Sequence, residues 1–279
     1  MLKVLKSGLF TTVQDLGRFG FRDKGVPVSG VMDIKTVYKL NMLLENEEND
    51  AVLEITMTGP TLEFEKNTFI SLGGAELSMT LNNEPIDNYK VIKVKEGDIL
   101  SYGRLKKGFR AYIAIKGGFQ TNMVLGSRSY YSSIKLNGIL KDKSTVDYKK
   151  VDSFKPKINA LKVDEFLSEE VLHVAKGPEF DLLSDKQLES LFFKKFTIAN
   201  ENNRMAYQLV EIIMGHSKSM LTSATLPGTI QFTPSGKLII LMKDGQTTGG
   251  YPRILQLTDE GISILSQKKT GDVITLKLM

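Results

Sequence analysis

Short apolar segments bounded by Gly, Pro, Asn or Asp recur along this chain, and that spacing limits its possible folds more than any other feature. They include Thr68–Leu72, Glu76–Leu81, Val91–Val94, Ile99–Tyr102, Ala111–Ile115, Leu238–Met242 and Val273–Leu278. Runs of strand length at such close intervals predict a β-sandwich or barrel. Asn82–Asn83 joins two of them and fits a tight hairpin turn, because Asn tolerates positive φ. Helices are fewer. Asp33 can cap a segment whose Val37, Leu40 and Leu44 share one face, and Ser184 with Gln187 forms a capping box ahead of Leu188, Leu191 and Phe192. A third helix is expected to begin near Asn202 or Asn203, to carry Met205, Leu209, Ile212 and Ile213 on one face, and to stop at Gly215. The expected class is mainly β, a β-rich α+β protein.

Fragments of the sequence echo one another in order. Gly59-Pro60-Thr61-Leu62-Glu63-Phe64 resembles Pro227-Gly228-Thr229-Ile230-Gln231-Phe232, and Glu96-Gly97-Asp98-Ile99-Leu100 resembles Thr270-Gly271-Asp272-Val273-Ile274. Repetition in order predicts a duplicated domain, residues 1–150 and 163–279, with the polar, Lys-rich stretch 151–162 as the linker.

The 279 residues include no Cys and only two His, His173 and His216. Thiolate metal sites, Cys nucleophiles and His-rich metal centres are thereby excluded, and no metal is expected on the chain. Any chemistry falls to carboxylates, amides, hydroxyls, Arg and Lys. The net charge of +5 arises from scattered pairs such as Lys106–Lys107 and Lys268–Lys269 with acids nearby, so no nucleic-acid partner is expected. No run approaches the roughly 18 apolar residues of a membrane span, and the first residues lack a leader pattern. A cytoplasmic address without membrane contact is the expectation.

The densest candidate for chemistry is Asp244-Gly245-Gln246-Thr247-Thr248-Gly249-Gly250-Tyr251-Pro252-Arg253, which follows a strand. Adjacent glycines let a ligand approach the backbone, while a carboxylate, an amide, two hydroxyls and a guanidinium converge. The alternative is a long hairpin with a solvated Arg. A second cluster, Gln14–Arg18 leading into Gly25–Asp33, places Ser29 and Asp33 where a helix begins and its N–H groups suit an anion. Here the alternative is plain capping by Asp33, with Arg18 paired to Asp15 at the surface. No G-x-x-x-x-G-K-[ST] loop is present, so ATP, if used, is expected on another chain.

Gly25–Asp33, Leu125–Ser129, Arg204-Met205, Pro227–Gln231 and Asp244–Arg253 together resemble the allophanate hydrolase subunit 2, or KipA, family. The likeness spans nearly the whole chain and is nearest to the branch that supplies the C component of bacterial 5-oxoprolinase. It implies two tandem cyclophilin-like β-barrel domains. It also implies a place in a three-component enzyme that cleaves 5-oxo-L-proline to L-glutamate, with subunits A and B as partners, one of them KipI-like. ATP, with Mg, would be held elsewhere in that complex and no cofactor on this chain. Two other roles fit the same family: a KipA-like antagonist binding a KipI-like kinase inhibitor, and a carboxyltransferase subunit of a biotin-dependent carboxylase. At the positions the resemblance marks, residue chemistry suits Arg253 and Gln231 to a carboxylate or oxyanion, and Thr247 and Thr248 to an activated intermediate. Asp244, Gln246, Gly249, Gly250, Tyr251, Ser29, Asp33 and Arg204 would then bind substrate.

Overall fold

Short strands build most of the regular structure of this protein, with buried and half-buried side chains alternating along some, such as Thr61–Phe64, and both faces buried in others, such as Thr68–Glu76. The computed structural model describes residues 1–134, 138–163 and 166–279. The chain divides into two units, Met1–Arg18 with Ser29–Leu167, and Phe19–Val28 with Ser168–Met279. Residues 151–162, read above as the linker, bond inside the first unit: Val151 N–H donates to Asn67 O and Leu161 N–H to Tyr89 O. Among the described residues no helix is long and apolar enough to cross a membrane.

The first unit holds β1 (Leu2–Lys6), β2 (Phe10–Gln14), α1 (Ile34–Leu43), β3 (Val52–Thr56), β4 (Thr61–Phe64), β5 (Thr68–Glu76), β6 (Thr80–Leu81), β7 (Glu84–Pro85), β8 (Ile92–Val94), β9 (Ile99–Ser101), β10 (Lys107–Ile115) and β11 (Thr145–Val146). One sheet runs β11-β1-β4-β9-β6-β7 and the other β2-β3-β10-β5-β8. Val4, Leu62 and Leu100 from the first sheet share a core with Leu53, Leu72 and Ile113 from the second. The buried face of α1, Val37 and Leu40 with Leu44 beyond its end, packs with Phe69, Tyr112 and Ala114. Asn82 and Asn83, with φ of 52° and 68°, turn β6 into β7 as expected.

The second unit holds β12 (Val171–Lys176), α2 (Asp185–Phe193), β13 (Phe196–Asn202), β14 (Ala206–Leu209), β15 (Ser223–Ala224), β16 (Thr229–Phe232), β17 (Leu238–Leu241), β18 (Thr248–Gly249), β19 (Arg253–Leu257), α3 (Asp259–Ser266) and β20 (Val273–Leu278). Seven strands close a barrel in the order β12-β19-β16-β17-β14-β13-β20. Closure comes from a parallel pairing of β12 with β20, Leu172 opposite Leu276. Leu172, Val174, Phe196, Ile198, Ile274 and Leu276 are the buried alternates of those three strands.

The helix expected over 203–215 does not form. Asn203 makes a turn instead, its Oδ1 accepting from the N–H groups of Met205 and Ala206 at 2.7 and 3.2 Å. The turn folds β14 back on β13, and Ile240 of β17 lies opposite Tyr207. Side chains placed to share a helical face are divided instead, Leu209 and Ile213 buried, Met205 and Ile212 exposed. The sequence reading also passes over α3. There Thr258 caps Gly261 N–H at 2.9 Å, and Ile262, Ile264 and Leu265 are buried.

The two echoed fragments behave differently. Asp98 Oδ2 accepts from Lys95 N–H, and Gly97 and Asp98 exchange backbone bonds with Phe64; Asp272, Lys269, Gly271 and Ile198 repeat that pattern atom for atom. The hexapeptides are not equivalent: β4 pairs with β1 and β9, whereas β16 pairs with β17 and β19. Of the two echoes, then, the Gly-Asp turns share a bonding pattern and the hexapeptides do not.

Candidate functional site

Ser29 and Asp33 belong to the first unit, and the remaining candidates to the second. Asp33 caps α1: Oδ1 accepts from Thr36 N–H at 3.0 Å and Oδ2 from the Thr36 hydroxyl at 2.8 Å. Its own N–H donates to the Tyr112 hydroxyl, which donates in turn to Glu54 Oε2, both at 2.9 Å. Burial, and then the charges of Glu54 and Asp33, push the Tyr112 phenol well up from its ordinary value. The Asp33 carboxylate is thus occupied by the helix end. Ser29 is fully buried with a φ of 58°, and its hydroxyl has no partner among the described residues.

Asp15 and Arg18 are not a surface pair. Both are buried, and Asp15 accepts from the Ser127 and Ser129 hydroxyls at 2.6 Å each and from Arg128 N–H at 2.6 Å, while Arg18 donates to Ser129 O. Gly126–Ser129 is therefore a cradle for one carboxylate, a structural use of a segment that carries part of the family resemblance.

In the second unit the loop after β17 is pinned at its start. Arg204 clasps Asp244 with two bonds, Nε to Oδ2 at 2.7 Å and Nη2 to Oδ1 at 3.1 Å, and both side chains are nearly buried. The backbones join as well, Asp244 N–H donating to Arg204 O at 2.8 Å. Farther along, β18 pairs with β15, and Thr225 N–H donates to Thr247 O at 3.0 Å.

Gln231 is the most telling residue of this cluster. It is 1% exposed and lies on β16, and its Nε2 has no hydrogen-bond partner among the described residues. Its Oε1 accepts a long 3.4 Å contact from Gln246 Nε2. An unmade bond at a buried amide costs about 1–3 kcal/mol, so the geometry is that of a donor waiting for an acceptor. A Cβ added at Gly249 would stand 2.2 Å from Gln231 Nε2 and 2.8 Å from Gln246 Nε2. Glycine there keeps the space in front of the donor open. Gln246, Thr248, Gly250 and Tyr251 are exposed around it, and Thr247 is half-buried.

Arg253 opens β19 and is not the solvated or free cation of the sequence reading. Its Nη2 and Nε bond Glu179 Oε1 and Oε2 at 2.7 and 2.9 Å, and Nη1 donates to Ala224 O. Its partner is Glu179 because residues 177–179 run against the start of β19, Glu179 N–H donating to Arg253 O at 3.2 Å. A Cβ at Gly177 would lie 2.1 Å from Arg253 O. Nothing local to Arg253 signals an acid 74 residues away. The guanidinium holds the Glu179 carboxyl below its ordinary 4.5. A carboxylate with a lowered folded value stabilises above its unfolded value, and that stabilisation is lost as pH falls through the folded one. Glu179→Gln is accordingly expected to lower stability by about 1–3 kcal/mol at pH 7 and by progressively less in acid, as measured by urea unfolding across pH. An unchanged difference at the acid end would show that the pair is not the cause.

The chain belongs to the family of the Carboxyltransferase domain, subdomain A and B, which it matches over residues 24–278. It is 31% identical to the C component of 5-oxoprolinase from Escherichia coli K12 over 280 residues, covering 98% of this chain and 90% of that protein. The crystal structure of the K. lactis urea amidolyase matches with a TM-score of 0.89 and 29% identity over 99% of this chain and 18% of that one. The crystal structure of TTHA0988 gives a TM-score of 0.90 at 24% identity and shares the fold; this chain spans 56% of it.

Proposed function

We propose that this chain is the C component of a multi-subunit, ATP-dependent 5-oxoprolinase opening 5-oxo-L-proline to L-glutamate. The observation that carries this reading is the two-sided match to the E. coli protein, nearly end to end in both chains, against a match to 18% of the K. lactis urea amidolyase chain. A five-membered lactam is a stable amide. Its carbonyl needs activation, for which phosphorylation of the oxygen suffices, before water attacks. The contribution of this chain is then to position the lactam and stabilise charge. Gln231 Nε2 suits the carbonyl oxygen, an acceptor of the kind this donor lacks. Thr247, Thr248 and the Gly249–Gly250 backbone supply further donors around it. Subunits A and B, one of them KipI-like, are the proposed partners and hold ATP and Mg, since this sequence has no phosphate-cradling loop. The cytoplasm is the proposed compartment.

Reconstitution tests the reading. ATP-dependent glutamate formation from 5-oxo-L-proline is expected only when this chain is combined with its partners, and no ATP hydrolysis is expected from the chain alone. Hydrolysis by the isolated chain would overturn the assignment of ATP. Carboxyl transfer from a biotinylated carrier, without glutamate formation, would establish the carboxyltransferase role that the family description admits. Tight binding of a KipI-like protein with no turnover would establish the antagonist.

A further inference from the structure

Arg22 has no part in the loop chemistry above, yet it lies in the segment Phe19–Val28 of the second unit. Its Nη2 donates to Thr225 O, and its Nη1 is buried without a partner among the described residues. Burial lowers the guanidinium from its ordinary value. Thr225 ties this arginine to the candidate site, because its hydroxyl donates to Gln246 O at 2.5 Å and its N–H to Thr247 O at 3.0 Å. Gln246 in turn reaches Gln231.

Charge and donor inventory then select a ligand class. Arg204 is neutralised by Asp244 and Arg253 by Glu179, each through two bonds. Arg22 carries no ion pair among the described residues, and its Nη2 bond is to a carbonyl. Around this loop two buried donors thus lack acceptors among the described residues, one charged at Arg22 Nη1 and one neutral at Gln231 Nε2. A charged donor is best met by an anionic oxygen and an amide N–H by a neutral carbonyl. One uncompensated positive charge matches a carboxylate, whereas a phosphate dianion would keep half of its charge unmet.

We propose that Arg22 and Gln231 together bind a small molecule bearing one carboxylate and one neutral carbonyl, Arg22 taking the carboxylate and Gln231 the carbonyl. The proposal rests on the reading of the Gln231 loop as the substrate site and replaces Arg253 with Arg22 as its cation. It also gives the lactam a fixed direction in the site.

Isothermal titration of the full chain, alone and combined with its partners, tests this with 5-oxo-L-proline, 2-pyrrolidinone, acetate and inorganic phosphate. The wild type is expected to prefer 5-oxo-L-proline to 2-pyrrolidinone by at least about tenfold, the worth of one charge-assisted contact. Arg22→Gln is expected to abolish that preference and Arg22→Lys to keep part of it, both with unchanged circular dichroism. Gln231→Leu is expected to weaken both lactams and leave acetate alone. Binding of acetate that depends on Arg22, with 5-oxo-L-proline no better than acetate, would uphold Arg22 as a carboxylate site and sink the 5-oxoprolinase reading. A preference that survives in Arg22→Gln, phosphate bound more tightly than acetate, or no carboxylate binding in either preparation would overturn the proposal. If Arg22→Gln fails to fold, the comparison of Arg22→Lys with the wild type decides it.

Discussion

Asp244→Ala is expected to destabilise the second unit by about 3–5 kcal/mol, the cost of leaving a nearly buried guanidinium without its counter-ion. Arg204 and Asp244 bond twice at 2.7 and 3.1 Å with side chains 8% and 10% exposed, so little solvent is at hand to replace the lost carboxylate. In a unit of this size the loss corresponds to a fall in Tm of roughly 10 °C or more. The pair also anchors the chain entering Gln246–Gly250, and activity should fall with stability. Replacing both partners, Arg204→Met with Asp244→Leu, is expected to recover most of the stability, because the penalty comes from an orphaned charge and not from the absence of an attraction. A cost below about 1 kcal/mol for Asp244→Ala in denaturant unfolding would refute the assignment of a structural role to this pair.

Gly249→Ala is expected to reduce turnover of the assembled complex by about 100-fold, or roughly 2.7 kcal/mol of transition-state stabilisation. The added methyl would stand 2.2 Å from Gln231 Nε2, and Gln231 is too buried to swing aside without a new cavity. Stability should drop by about 1–3 kcal/mol from overpacking, leaving the fold intact. The neighbouring Gly250→Ala supplies the control, since a Cβ there meets nothing within 4 Å and alanine keeps the backbone N–H. Steady-state kinetics of the two complexes decide the matter: equal rates would mean that the space before Gln231 is not where the substrate lies. A fall confined to Gly249→Ala, with KM raised and the protein still folded at the assay temperature, would place substrate against this donor.

What could be read from sequence was what neighbours along the chain decide. The Asn82–Asn83 turn and the Asp33 cap each close within four residues, and both formed as expected. Gln187 likewise accepts from Ser184 N–H at 2.8 Å, the reading made from the pair alone. Gly261 in the first turn hides α3 from propensity, because the burial of Ile262 and Leu265 that holds the helix is a tertiary effect. The stretch 203–215 failed for a related reason. Met205, Leu209, Ile212 and Ile213 fit a helical period, but β14 lies between β13 and β17 and its pairing overrides that preference. In the candidate site, the loop Asp244–Arg253 and Gln231 were visible as polar groups beside glycines, while their states of charge were not.

By itself the sequence determined a mainly β protein without thiol or His-rich metal chemistry, its tight turns and caps, and the segments where function concentrates. Strand-length apolar runs and local side-chain-to-backbone bonds carry that information at short range. Tertiary structure alone decided which arginines are neutralised: Arg253 by Glu179 across 74 residues, Arg204 by Asp244 across 40, and Arg22 by no carboxylate among the described residues, although it reaches Thr225 across 203 residues. It alone also decided that Gln231 is buried with a donor unmet. Pairing and desolvation depend on which strands close the barrel, and no local pattern encodes that closure.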